Sequence, residues 1–378
     1  MTSIKKIAKN LIGKLPGGNY IVFESAPVLS DNSRAVFDEM LRRGMQKKYR
    51  MYWWVNDRKA DLPKFSNTGY LDLKTAWNRL RFRWITIRAK CLICCNSFLT
   101  VTNPSQTAFY LTHGTALKKL NDYYLPEGIT YTLVASEQVK DVMARELRAD
   151  PETVVALGYP RNDILHQPSR DLHEVFPGTF RKVVVWYPTY RQHKNGLKTD
   201  SKDGLPVLHD PDSALRLNEM AKELGILIVV KPHFAQDLSY IKQYDLSNIL
   251  FIDDSFFAKN NLTSYEFVGS CDALITDYSS IFFDYLLCGK PVAVIWEDIE
   301  DYRQNPGFAM DPEVYMAGSH RIYSLADYEE FLRCLAAGRD PYREERYRLC
   351  ELLNYAADGE NARRVVDFIM EKANLKQI

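Results

Sequence analysis

Short apolar runs alternate with amphipathic stretches along almost the whole chain. NYIVFES (19–25), KYRMYWWV (48–55), CLICC (91–95), YLTH (110–113), YTLVAS (131–136) and VVALGYP (154–160) read as buried strands. A second series follows in KVVVWYP (182–188), ILIVVKPH (226–233), NILFIDD (248–254), DALITDY (272–278) and PVAVIW (291–296). Between the runs, 33–43, 136–148, 213–224 and 279–287 carry helical periodicity. Strand–helix alternation with continuous β-branched runs predicts parallel sheets covered on both faces, an α/β protein. The polar stretch 164–179 separates the two series. The expected division is an N-terminal parallel-sheet domain over 1–165 and a second parallel-sheet domain over 166–355. A C-terminal helix over 356–378, within a stretch helical by pattern from 343, packs back across both. Two such sheets facing a cleft place ligands at the carboxyl ends of their strands.

Composition narrows the function classes without choosing one. The 378 residues, 46% hydrophobic and 26% charged, are ordinary for a globular protein of about two domains. A formal net charge of +1 provides no global field for nucleic acid, and no recognition motif adds one. The seven cysteines lie mostly in apolar runs, which suits a reduced, cytoplasmic compartment. Cys91, Cys94 and Cys95 lack the second pair that a four-ligand metal site needs, and no acidic cluster stands at a strand end, so neither metal nor cofactor is expected. No apolar run is long enough to span a bilayer, and the N-terminus lacks the pattern of a secretion signal.

The candidate chemistry gathers at strand ends. In ALITDYSSIFFDYLLCGKPV (273–292) a strand ends at Thr276-Asp277, and Ser279 or Ser280 is expected to cap a helix whose N-terminus would bind an anion. Asp284, one turn in, either faces the cleft or simply favours the helix dipole. VVVWYPTYRQ (183–192) puts Thr189 and Arg191 after a strand, where an arginine can clamp a phosphate or be an ordinary surface residue. LIVVKPHF (227–234) does the same with Lys231 and His233. In FYLTHGTALKKL (109–120) a strand runs into His113, Gly114 and Thr115, and then into an expected helix bearing Lys118 and Lys119. At that helix N-terminus the imidazole would stay neutral and serve as a base, or merely cap its own helix. In GYPRND (158–163), Arg161 and Asp163 either pair with each other or touch a donor.

Two basic segments point to a surface. MTSIKKIAKNLIGKL (1–15) sets Ile4, Ile7, Leu11, Ile12 and Leu15 against Lys5, Lys6, Lys9 and Lys14. KTAWNRLRFRWITIRAK (74–90) carries Trp77, Phe82 and Trp84 with Arg79, Arg81, Arg83 and Arg88 and no acid. Basic and aromatic residues together suit anionic headgroups, so peripheral attachment at the cytoplasmic leaflet is expected. The alternative is two surface helices packed by their apolar faces onto the first domain.

Taken together, HGTALKKL, GYPRND, YPTYR and TDYSSIFFDYLLCGKPV resemble the CDP-glycerol glycerophosphotransferases of teichoic acid and capsule synthesis. The resemblance runs from FES (23–25) to DGENARR (358–364). It implies a GT-B-like pair of Rossmann-type domains and a CDP-glycerol or CDP-ribitol donor held by the second domain. The acceptor would be a lipid-linked saccharide or polyol-phosphate chain. His113 would be the general base and His233 would assist the departing CMP. Thr189, Arg191, Lys231, Thr276, Asp277, Ser279 and Ser280 would line the phosphates, and Asp284 the polyol or nucleotide. The family usually carries Trp where this chain has Thr112, Pro at Ala116 and an acid at Gln192; the proline of KPHF precedes its histidine. A GT-B glycosyltransferase using a nucleotide sugar and a non-catalytic membrane scaffold are the competing readings.

Overall fold

The computed structural model describes residues 17–55, 62–121, 123–189, 205–232 and 238–376. The chain forms two compact units. One comprises Met1–Thr115, Asn121–Asp163 and Leu353–Ile378, and the other Ala116–Leu120 and Ile164–Leu352.

The first unit holds seven strands, all paired in parallel: β1 (Tyr20–Phe23), β2 (Arg50–Trp54), β3 (Thr68–Leu71), β4 (Cys91–Cys94), β5 (Thr107–Tyr110), β6 (Tyr131–Val134) and β7 (Val154–Ala156). Their order is β3-β2-β1-β4-β5-β6-β7. The chain therefore winds outward from β1, returns to β4 and winds the other way. That leaves a topological switch point between β1 and β4, the place where doubly wound sheets accept ligands. The core is aromatic: Phe23 stacks on Trp53 at 5.2 Å, and Phe37, from the helix Asp31–Arg42, meets both edge-on.

The helix Asn361–Lys372 closes this core with Val365, Val366 and Ile369, all fully buried. It docks at close range. A Cβ on Gly158, whose φ is +79°, would stand 2.1 Å from Asn361 Oδ1, so only glycine fits there.

The second unit repeats the plan with six parallel strands: β8 (Lys182–Trp186), β9 (Ile226–Val230), β10 (Ile249–Phe251), β11 (Ala273–Thr276), β12 (Val292–Ile295) and β13 (His320–Ile322). Their order, β10-β9-β8-β11-β12-β13, puts the switch point between β8 and β11. Val184, Trp186, Ile228, Ile275 and Ile295 form its buried centre under the helices Pro211–Glu223 and Leu325–Ala336.

The α/β class and the parallel sheets agree with the apolar pattern. Three details differ. β3 and β13 were not legible, because these two edge strands, TGYL and HRI, carry no continuous apolar run, unlike the edge strands β7 and β10. β5 ends at Tyr110, so YLTH is mostly loop and His113 stands past the strand rather than on it. No helix follows His113. Residues 116–120 are extended, with Lys118 bridged to Phe308, the Ala309 N–H donating to Leu117 O at 2.8 Å and Lys119 N–H to Gly307 O at 3.1 Å. Those bonds satisfy backbone groups that a helix would otherwise have had to pair.

Candidate active site

At the carboxyl end of the first sheet, the turn bearing His113 is fixed from several sides. Thr112 holds φ +50° and Gly114 φ +141°. A β-branched residue in the left-handed region is uncommon and persists only where its surroundings over-determine it. They do so here. Thr112 Oγ1 donates to Leu133 O at 3.0 Å. Buried Asn32 donates through Nδ2 to Leu111 O (3.3 Å) and Thr112 O (3.1 Å), and its Oδ1 accepts the Arg161 N–H at 3.1 Å. The Arg161 guanidinium pairs with Asp31 at 2.6 Å and donates to the His113 carbonyl at 3.0 Å. Thr115 is buried, its hydroxyl 3.4 Å from the Tyr159 hydroxyl.

The result is an exposed imidazole on an immobilised turn. Its Nδ1 lies 3.3 Å from the Cys95 carbonyl. A carbonyl only accepts, so Nδ1 carries the proton and Nε2 keeps the lone pair that a base needs. The expected helix dipole plays no part; a carbonyl contact sets the tautomer instead.

Arg161 and Asp163, expected either to pair or to touch a donor, serve different partners. Arg161 braces the His113 turn. Asp163 accepts the Asn361 and Ala362 N–H groups at 2.8 and 2.7 Å and caps the last helix from a distance.

In the second unit, the carboxyl ends of β8 and β11 meet at the switch point. Asp277, 1% exposed, accepts the Thr189 N–H at 2.8 Å through Oδ2 and the Thr189 hydroxyl through Oδ1. Thr276 Oγ1 donates to Tyr187 O at 3.0 Å. These two expected phosphate ligands are thus spent on shaping the loop after β8, and an anionic carboxylate would in any case repel a phosphate. Asp284 is 1% exposed and accepts the Tyr265 hydroxyl at 2.6 Å, which ties the helices Ser264–Ser270 and Ile281–Tyr285 together.

Ser279 and Ser280 are half-buried and stand before the helix Ile281–Tyr285. Ser280 takes the N-cap position, but its side chain makes no capping bond, and the helix runs only five residues before tightening into a 3-10 turn at Leu286–Cys288. So short a helix aligns few peptide dipoles. The expected capped anion site is therefore replaced by two hydroxyls not spent on capping beside a short turn.

Lys231, half-buried, pairs with exposed Asp254 at 2.9 Å. Arg191 and His233 lie outside the described residues, as do Lys5, Lys6, Lys9 and the rest of the first basic segment.

Three residues at the first switch point escaped sequence reasoning: Glu24, Asp31 and Asn32. Glu24, fully buried at the end of β1, accepts the N–H groups of Cys95 (3.2 Å) and Asn96 (3.0 Å) from the end of β4. Burial raises its pKa, against the opposing pull of the Asn96, Ser97 and Cys95 N–H groups and the Ser97 hydroxyl. A carboxylate closing an apolar strand was the available signal.

The second basic segment is a helix, Ala76–Arg88, capped by Thr75. Trp77 (74% exposed), Leu80 (59%) and Trp84 (50%) share one face at i, i+3 and i+7, bordered by exposed Arg81. Ile85 is buried and Phe82 packs on Trp54 of β2 at 5.3 Å, so one side of the helix lies on the first sheet while Trp77, Leu80 and Trp84 stay exposed. Among the described residues no helix is long and apolar enough to cross a membrane.

Residues 9–371 match the model of the family described as CDP-glycerol:poly(glycerophosphate) glycerophosphotransferase. A teichoic acid poly(glycerol phosphate) polymerase of Bacillus spizizenii is 25% identical, the match covering 98% of this chain and 97% of that protein. A protein of the same name from Bacillus subtilis is 26% identical over 78% of this chain, which spans only 41% of its length. The solved structure of the wall teichoic acid polymerase TagF superimposes with a TM-score of 0.69 at 21% identity, covering 98% of this chain and 94% of that one. The fold is accordingly the GT-B-like pair of Rossmann-type units.

Proposed function

This chain belongs to the CDP-glycerol:poly(glycerophosphate) glycerophosphotransferase family, and from that premise we propose that it transfers glycerol phosphate from CDP-glycerol to a hydroxyl of a lipid-linked or polyol-phosphate acceptor, releasing CMP. The observation that carries the reading is the His113 turn: an exposed imidazole, locked in orientation, with its proton assigned to Nδ1. In the proposed step the acceptor oxygen attacks the phosphorus that bears glycerol. An O–P bond forms, the P–O bond to CMP breaks, and the hydroxyl proton passes to His113 Nε2. CMP leaves with the bonding pair.

The second unit holds the donor in this reading. Hydroxyls of Ser279 and Ser280 and the Lys231 ammonium meet the diphosphate, while Asp277, Thr276 and Thr189 hold the loop in place. Arg191 and His233, on the family resemblance, complete the phosphate clamp and assist the departing CMP. Positioning and charge stabilisation then supply most of the rate. Attachment at the cytoplasmic face of the membrane, on anionic lipid, falls to the helix Ala76–Arg88, whose Trp77, Leu80 and Trp84 enter the interface while its arginines meet headgroups.

The test is incubation of the full chain with CDP-glycerol, CDP-ribitol and UDP-sugars, each with a synthetic lipid-linked acceptor, with products read by mass spectrometry. CMP release and growth by glycerol phosphate units are expected. Sugar transfer with UDP release would overturn the reading.

A further inference from the structure

Glu24 is the buried charge for which the proposed chemistry has no use. The peptide between Cys95 and Asn96 offers one. Its N–H, that of Asn96, donates to Glu24 Oε2 at 3.0 Å. Its carbonyl, that of Cys95, faces His113 Nδ1 at 3.3 Å. A single rigid peptide plane thus has a carboxylate at one end and the imidazole at the other. The neighbouring N–H of Cys95 adds a second bond to the same oxygen, at 3.2 Å, and Ser97 contributes through its N–H and hydroxyl. Desolvating a carboxyl group at a fully buried position is costly unless the group has a use.

We infer that Glu24 is a positioning residue for His113, acting through the Cys95–Asn96 peptide as the orienting carboxylate of a base pair. The anion draws on the peptide N–H and so makes the carbonyl at the other end a stronger acceptor. That carbonyl holds the proton on Nδ1, directs Nε2 outward and favours the imidazolium that forms when the base is protonated. Glu24 touches no substrate and exchanges no proton with the imidazole.

Other titratable and charged groups face the same assembly. Asp31 and Arg161, paired at 2.6 Å, come from the start of the helix Asp31–Arg42 and from the turn after β7. The thiols of Cys94 and Cys95 lie at the end of β4, both kept protonated by burial. Tyr110 and Tyr123, their hydroxyls 2.8 Å apart, stand beyond Cys94. Of these, only Glu24 combines full burial with a hydrogen bond to the peptide that carries the His113 contact.

The inference rests on His113 as the base, and the experiment separates the two. Histidine of the full chain is labelled with nitrogen-15, and the His113 signals are assigned by their loss in His113→Gln. In the wild type the Nδ1–H tautomer is expected. Glu24→Gln keeps an acceptor for both N–H groups but loses the charge. It should admit the Nε2–H tautomer, lower the His113 titration midpoint, and cut kcat on the order of tenfold with KM for CDP-glycerol unchanged. An unaltered tautomer and midpoint in Glu24→Gln would overturn the inference. Should that variant fail to fold, the wild-type titration decides: the His113 signal should also report the step at which Glu24 ionises, and a curve blind to that step overturns the relay. Full turnover in His113→Gln would instead remove the base assignment and leave the tautomer result standing.

Discussion

The two units share a winding order and place a carboxylate at the same point of it, yet they use it in opposite ways. At the β8–β11 switch point, Asp277 accepts with both oxygens from one residue, Thr189. At the β1–β4 switch point, Glu24 accepts the N–H groups of Cys95 and Asn96, and the carbonyl of that same peptide meets His113 Nδ1. One carboxylate shapes a loop; the other reaches, through a peptide, the residue proposed as base. The contrast matches the division of labour proposed here, with the second unit holding a ligand and the first activating a nucleophile.

Four experiments test that contrast. The largest effect belongs to the first unit's chemistry: His113→Ala should lower turnover by roughly 10²–10⁴-fold with an unchanged thermal melt, and near-wild-type turnover would leave the first unit without its catalytic role. Next, Asp277→Ala strips both bonds from Thr189. It should cost about 1–3 kcal/mol of stability, read by denaturant unfolding, and raise KM for CDP-glycerol more than it lowers kcat. If kcat alone falls, Asp277 belongs to the chemistry and the contrast fails.

A smaller effect tests the first unit's surface. Trp77→Ser with Trp84→Ser should weaken sedimentation with phosphatidylglycerol vesicles at low salt severalfold, whereas equal sedimentation would assign these rings to something other than lipid. The smallest concerns pH. Because burial raises the Glu24 pKa above its ordinary value near 4.5, folding is favoured while Glu24 is protonated. That contribution is complete below about pH 4.5 and is lost as pH rises through the native-state value. Urea unfolding of wild type against Glu24→Gln should show the variant lacking this decline; parallel pH curves would mean that Glu24 is not desolvated as the structure has it.

Much of the architecture was legible because it rests on one-dimensional pattern. Parallel strands buried on both faces must be largely apolar, and β1, β4, β8, β9, β11 and β12 are, apart from Lys182 at the start of β8 and Thr276 at the end of β11. β3, reading TGYL, and β13, reading HRI, escaped because an edge strand is released from that demand. The segment after His113 read as a helix because ALKKL has good helix formers, but pairing with 307–309 outweighed propensity. In the site, the motif residues stood out in the sequence, but the protein partners of several of them did not. Thr276, Asp277 and Asp284 sit in the most specific stretch of the chain yet face inward, since a tight strand-to-helix turn needs its own polar contacts before it can offer any to a ligand.

The sequence by itself determined two parallel α/β units, the family, and His113 as the residue to watch, because periodicity and local motif survive in one dimension. Only the tertiary structure decided what surrounds that histidine. Glu24, Asn32, Cys95 and Arg161 come from β1, the first helix, β4 and the turn after β7, and nothing in their spacing along the chain announces that they meet. Hydrogen bonds and buried charge act over a few ångströms of space, and a doubly wound sheet brings to that distance residues that lie far apart in sequence.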